Sequence, residues 1–465
     1  MSKDLGSVEH RPQAAEETRS GPHRATSNWK EVLRRQEFSE NGPGTVVRDF
    51  ETLLDFIGPD GVRSTGKYHL LPLAGLKDLD ERMAAPLRPR LERPQQSAFP
   101  QIHGLYLLLR VLRLAKAEGM GKATGRLVLD PVMVAQWRQL NPTEKYFTLL
   151  EALCDQANSE IFGEHSHGAG LFLETFAVTV ACPLQGQAIG SFDELQIYQV
   201  FGAKSQFKIA LPELFGLIEV TRGEQQERDG WVPRQVQRTP FGDALLRAFA
   251  TDAAEEESDN EPEVRGGGTL MTHLITFSFR DDDLESDEDH PEESSSADQT
   301  RDVPSKYRRR LAPYFPAWQQ GLHPPEPEFR DGVYQFKVSL GSAWRRIAFP
   351  ADTALDYVAE DILAAFKFDN EHLYEFSLRN VDGTVLKIAH PSDEVVDTAE
   401  YADNIALGHL PLAEKETMHF LYDFGDDWKF KLVLEKIDPP NARLKRPNVI
   451  EKHGTAPKQY GDDDW

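Results

Sequence analysis

The residues best suited to chemistry lie toward the C-terminus. His372 and Tyr374 alternate with Phe376 along HLYEF and so share one strand face, while Asp423, Asp426 and Asp427 crowd the YDFGDDW turn ahead of Trp428. A histidine beside two or three carboxylates can hold a divalent metal or act as an acid/base pair, which makes His372, Asp423 and Asp426 the candidate catalytic and metal-ligating set. Arg345, Tyr374, Asp427 and Trp428 are the candidate binding residues, with Arg345 extending the Lys429 and Lys431 face into a patch for an anionic ligand. A structural reading competes with both: Gly425 takes a positive φ, the aspartates satisfy turn amides, and His372 packs at the sheet edge with one hydrogen bond. Elsewhere the chemistry is thinner. Glu164, His165 and His167 are dense in ligating atoms, but two residues apart on a Gly-rich segment is not a recognised ligand spacing. The sequence contains no phosphate-cradling P-loop, no G-x-S-x-G and no HExxH.

These residues need a frame. In VYQFKVSL, Tyr334, Phe336, Val338 and Leu340 repeat at period two against Gln335, Lys337 and Ser339, the pattern of a half-buried strand. Gly341 and Ser342 turn the chain into AWRRIAFP, which Pro350 ends. Thr353 and Asp356 then stand in capping-box spacing ahead of Leu355, Val358, Ile362, Leu363 and Phe366, an apolar stripe at helical period. HLYEFSLRN, TVLKIAHP and the two arms around the Gly-Asp-Asp turn supply further strands. A strand hairpin, one crossing helix and several strands is the element order of a β-grasp, ubiquitin-like domain in an α+β protein.

The first half reads as mainly helical. GLYLLLRVLRLAKAEG spaces Leu105, Leu108, Leu109 and Leu112 for an amphipathic helix stopped by Gly119 and Gly121. In NPTEKYFTLLEALC, Asn141 caps, Pro142 suits the first helical position and Glu144 completes a capping box. Farther on, a helix ends at Gly216, LIEV and WVPRQVQ form two strands, and Thr239 caps a last helix. Helix, two-stranded wing and helix is a winged-helix pattern. Yet Leu211 to Ala250 holds five arginines against six acidic residues, whereas a duplex binder needs a basic face to release phosphate counterions.

Charge also marks the boundaries. The 465 residues carry 76 acidic and 52 basic side chains, a formal charge of −24, of which −15 falls between Thr251 and Thr300. Four stretches follow: a disordered tail at 1–27, a helical, winged-helix-like region at 28–250, an acidic linker at 251–307 interrupted by the apolar run LMTHLITFSF, and a C-terminal domain at 308–465. SKYRRR, directly after the acidic blocks, is expected to pair with them and mask a basic arm. Cys154 and Cys182 are too few for a disulfide framework, and no apolar run reaches the roughly 18 residues of a membrane span. The expected location is cytoplasmic, with no membrane partner.

Taken together, VYQFKVSL, AWRRIAFPADTAL, AAFKFDNEHLYEF, LPLAEKETMHFLYDFGDDWKFKLVLEKI and PNVIEKHGTAPKQY resemble the plasmid pRiA4b ORF-3-like family, in unbroken order over about residues 328–460. The resemblance implies a bacterial or archaeal protein of plasmids and mobile elements, an α+β domain similar to β-grasp folds, and no established activity. The first region resembles longer members of the family through less distinctive motifs. Members often carry a Cys-Pro-Pro-Glu-Asp stretch where this chain has Thr455, Ala456, Pro457, Lys458, Gln459 and Tyr460, so no cysteine metal site carries over. Two functions from different classes are expected. One is an interaction protein that binds a protein partner through the C-terminal domain, with nucleic-acid contact through 28–250 as its variant. The other is a divalent-metal-dependent enzyme acting on nucleic acid through His372, Asp423 and Asp426.

Overall fold

The computed structural model describes residues 28–66, 68–118, 124–157, 159–162, 170–182, 190–191, 206–227, 229–250, 305–325, 328–380, 383, 385–393, 400–441, 443–444 and 446–460. The N-terminal tail, the acidic stretch through residue 304 with its LMTHLITFSF run, and the Glu164, His165 and His167 cluster lie outside the described residues.

Helices α1 (Trp29–Arg35), α2 (Val46–Ile57), α3 (Leu73–Arg82), α4 (Pro100–Val111), α5 (Pro131–Gln139), α6 (Pro142–Glu151), α7 (Gly170–Ala181), α8 (Phe207–Leu214) and α9 (Pro240–Ala250) build the first body. Two small sheets accompany them, β1 (Val62–Thr65), β3 (Thr124–Leu129) and β2 (Ala115–Glu118) in that order, and β4 (Gly190–Ser191), β6 (Pro233–Arg238) and β5 (Ile218–Arg222) in that order. Helix α4 is the hub. All twelve of its residues are buried, so it is a core helix rather than the amphipathic one its leucine spacing predicts. It also ends earlier than Gly119. Arg113 adopts a left-handed backbone (φ 55°), the Leu114 amide donates to the Leu109 carbonyl, and the chain continues as β2 on β3. Gly104 lets α8 close on α4, since a Cβ there would lie 2.8 Å from the Leu211 side chain.

The expected capping box of α6 is present: Asn141 Oδ1 accepts from the Glu144 amide at 3.0 Å and Glu144 Oε2 from the Asn141 amide at 2.9 Å. Thr239 caps α9 by accepting from the Gly242 amide at 2.9 Å. The expected order of helix, two paired strands and helix is formed by α8, β5, β6 and α9. In α8, however, every residue except Glu213 is buried, with α4 and α7 packed against it. No face of that helix is free to enter a DNA groove.

The sequence grouped residues 308–325 with the C-terminal domain, but they pack on the first body. Tyr307, Leu311, Phe315 and Trp318, on and after α10 (Lys306–Leu311), join its core, and Trp318 stacks on Phe147 with centroids 4.3 Å apart. Polar contacts fix the same segment, because the Gln319 and Gln320 amides donate to Glu144 Oε1 at 3.3 and 3.1 Å. Arg310 Nε donates to the Ala248 carbonyl at 2.7 Å, and Phe249 meets Tyr307 at 5.7 Å, so α9 and α10 lie side by side. Burial of these aromatics outweighs the pull of sequence order.

The second body begins with the predicted hairpin, β7 (Val333–Leu340) and β8 (Ala343–Pro350), followed by α11 (Leu355–Phe366). Strands β9 (Tyr374–Arg379), β10 (Val385–Ala389), β11 (Glu400–Tyr401), β12 (Thr417–Tyr422), β13 (Trp428–Asp438) and β14 (Asn448–His453) complete one eight-stranded sheet. Its order is β11-β10-β9-β12-β13-β7-β8-β14, antiparallel except for the short β10/β11 pair. Helix α11 lays Leu355, Val358, Ile362, Leu363 and Phe366 on one face of the sheet, each worth about 2 kcal/mol of apolar burial. Its N-terminus differs from expectation. Ala354 holds the cap position without a side-chain bond, and Asp356 accepts from the adjacent Tyr357 amide instead of closing a box with Thr353. The chain is thus α+β, with a multi-stranded C-terminal sheet.

Candidate functional site

Three strands carry the candidate residues to one end of this sheet. Tyr422, the last residue of β12, stands opposite both Tyr374 of β9 and Trp428 of β13. His372 therefore precedes this row while Asp423 follows it, and the two meet with Nε2 to Oδ2 at 3.6 Å. The Asp423 amide donates to the Leu373 carbonyl at 3.0 Å, locking the turn to the lead-in of β9.

The turn uses its aspartates structurally. Asp423 Oδ1 accepts from the Gly425 and Asp426 amides at 2.9 and 3.3 Å, and the Asp427 amide donates to the Asp423 carbonyl at 2.7 Å. The left-handed positions are Asp423 (φ 56°) and Asp427 (φ 59°), not Gly425, because aspartate tolerates that region through local hydrogen bonding. Asp427 pairs with Lys429, and the Asp426 residue is exposed to solvent. His372 and Asp423 are brought together, then, while Asp426 serves the turn through its amide. Among the described residues, no three His, Cys, Asp or Glu side chains stand together as a metal site.

The candidate binding residues divide in the same way. Tyr374 is buried in the aromatic core against Phe376, Phe420 and His390, and burial, with Asp356, Glu360 and Asp403 nearby, pushes its phenol upward. Trp428 is half-buried, edge-on to Phe368 at 5.0 Å. Arg345 does not form an anionic-ligand patch. Only 6% exposed, it donates from Nε to the Ala365 carbonyl at 3.1 Å and from Nη1 to the Trp344 and His453 carbonyls at 2.9 Å each, with its guanidinium over the Phe366 ring at 4.6 Å. Helix end, edge strand β14 and β8 are clamped by one side chain. Alternation assigns a face to Arg345 but says nothing of carbonyls that converge from elsewhere in the chain.

Sequence reasoning missed the polar cluster beside His372. Asp369 accepts from Tyr460 Oη at 2.6 Å, Gln459 Nε2 at 2.6 Å and Tyr422 Oη at 3.0 Å, and its amide donates to Gln459 Oε1 at 2.7 Å. His372 Nε2 reaches Tyr460 Oη at 3.3 Å. Burial alone would raise the Asp369 carboxyl, but the bonds from Tyr460, Gln459 and Tyr422 hold it below the usual carboxylate range. Burial and the Asp369 charge push Tyr422 up to about 12, and the bond to Asp369 raises Tyr460. The cluster ties the tail residues Gln459 and Tyr460 onto the sheet end. An aromatic set in a polar stretch, Tyr460, was the available signal.

Around this locked turn three large apolar or aromatic side chains are exposed, Phe424 at 50%, Tyr460 at 39% and Leu373 at 36%, beside the charged residues Glu371, Asp426, Asp427 and Lys429. The arrangement can present a rigid hydrophobic tip. The carboxylate that meets His372, Asp423, caps the turn, and the neighbouring Asp369 is saturated with donors.

Comparison with known proteins agrees with the extent of this body. Uncharacterized protein y4hQ of Sinorhizobium fredii is 28% identical over 138 residues, 29% of this chain and 68% of that protein. A crystal structure of a protein of unknown function from Methanosarcina mazei Go1 is 27% identical, covers 26% of this chain and 70% of that one, and aligns with a TM-score of 0.25. Residues 332–461 match the family model for plasmid pRiA4b ORF-3-like protein. The second body, from the first hairpin to the docked tail, is accordingly a plasmid pRiA4b ORF-3-like domain.

Proposed function

We propose that this chain is a plasmid-associated interaction protein whose pRiA4b ORF-3-like domain binds a protein partner through the Phe424 tip. One observation carries the reading: a large aromatic is held half-exposed on a turn braced at both ends, flanked by Leu373 and Tyr460. Exposed aromatics on a preorganised support are the usual anchors of protein interfaces. The finer fold likenesses belong to the same proposal. The domain is β-grasp-like in element order, hairpin then crossing helix, although its long strand pairings are all antiparallel. The first body carries a winged-helix-like unit whose buried α8 favours a scaffold role over nucleic-acid contact.

The test is affinity capture from the native host with the full chain and with Phe424→Ser. The proposal expects one protein whose recovery falls at least tenfold with the variant. Equal recovery from both baits would refute the tip as the contact, and capture of nucleic acid released by nuclease or salt would favour the alternative variant. Activity of the purified chain on nucleic acid that chelators abolish would restore the metal-enzyme reading.

A further inference from the structure

The seam between the two bodies holds a cleft of about 870 Å³. Its first wall comes from the end of α4, from β2 and from α5, and its second from β10, β11 and the segment running to β12. Met133, Leu386, Ile405 and Leu412 line it, with Arg113 and Lys116 on the first wall. Volume and position between bodies are ordinary attributes of a small-molecule site, and the lining combines an apolar floor with charged and polar side chains from both walls.

We propose that this cleft binds a small amphiphile whose anionic head, a carboxylate or a phosphate, is held by Arg113 and Lys116 while its apolar part lies on Leu386 and Ile405. The cations decide the head. Among the described residues neither Arg113 nor Lys116 has an ion pair or side-chain hydrogen bond, whereas Arg330, also on the cleft, is already bound to Tyr334 Oη and the Leu412 carbonyl. Arg113 stands at the left-handed position that closes α4, where glycine is the usual residue and a Cβ is disfavoured. An arginine kept there projects a half-buried guanidinium into the seam. Three carboxylates also line the cleft: Glu328 and Glu400 are solvent-exposed, so water screens them more than it screens Arg113, and half-buried Asp130 is engaged at the start of α5, where its Oδ1 accepts from the Val132 and Met133 amides at 3.0 and 3.1 Å.

The experiment titrates the full chain with 8-anilinonaphthalene-1-sulfonate, an anionic apolar fluorophore. The expected result is saturable binding that octanoate or octyl phosphate displaces and octylammonium does not, the stronger of the two anions identifying the head group. Arg113→Gly combined with Lys116→Gln should weaken binding at least tenfold without lowering Tm, because glycine suits the left-handed position. Leu386→Trp, which fills the cleft, should abolish displaceable binding, separating this site from the exposed Phe424 tip. Unchanged affinity in either variant, equal displacement by octylammonium, or no displaceable binding to the wild-type chain would overturn the proposal.

Discussion

Arg345→Lys is the sharpest test of how the sheet end is held. The substitution keeps the positive charge, so a ligand patch would survive it in part, but an ammonium cannot span the carbonyls the guanidinium joins. Arg345 reaches Ala365 at the end of α11 on one side and His453 of β14 on the other. A lysine keeps one of these and forfeits about two charge-assisted bonds at roughly 1.5–3 kcal/mol each, with some recovery as freed edge carbonyls find water, so the net cost is about 3 kcal/mol. For a domain of this size, about 3–4 °C per kcal/mol puts the fall in its Tm near 10 °C. The neighbouring Arg346 is the control. It pairs at the surface with Glu435 and Glu451, so Arg346→Lys should cost under about 1 kcal/mol. Calorimetry on the full chain reads the Tm, and hydrogen exchange reads the β14 amides, which should lose protection only in Arg345→Lys. Equal, small shifts for the two lysine variants, with β14 protection intact, would refute the clamp.

Other outcomes follow from the same geometry. His103 is buried, and burial lowers it to about 3, so the unfolded chain binds the extra proton between pH 3 and 6.5 and stability must fall as pH drops through that window. The loss between pH 7 and 5 should be about 2 kcal/mol in the first body, and His103→Gln should flatten it in urea titrations. Glu144→Ala removes both the capping partner and the acceptor for Gln319 and Gln320; it should cost about 2–3 kcal/mol and expose residues 319–325 to proteolysis. Asp369→Ala should free the tail, read as faster carboxypeptidase removal of Tyr460. Since Asp369 is held low, wild-type tail docking should persist above the ordinary carboxylate range and weaken as pH falls through it. The full chain should bind duplex DNA weakly, with a shallow salt slope in anisotropy titrations, because α8 is enclosed.

Local rules carried far in the sequence. Period-two burial in VYQFKVSL and the Asn141 and Thr239 caps were legible, because each depends on neighbours within a strand or a single helix start, whereas the approach of His372 to Asp423 needed the pairing of β9 with β12 across the intervening β10 and β11. What escaped involved distant partners. Gln459 and Tyr460 lie some ninety residues from Asp369, and Arg345 meets carbonyls twenty and more than a hundred residues away. Helix α4 was misread because a core helix and an amphipathic one share the same leucine spacing, and only the surrounding elements reveal that its remaining faces are covered too. The family motifs located the second body, but the residues that look most reactive within it turned out to serve the turn.

The adjacency of α9 and α10 changes what the acidic stretch is. Ala248 and Arg310 are joined by a hydrogen bond although some sixty residues separate them, so the two residues flanking the acidic stretch stand together on the first body. Both flanks of the acidic stretch belong to one module, and the crossing to the pRiA4b domain is the short run between residues 325 and 333. Nicking or shortening residues 253–300 should leave both halves attached and their mutual orientation unaltered, at an entropic cost that varies only logarithmically with the loop's length. The net charge of the protein could be reset by more than half its value without touching the joint that relates its parts.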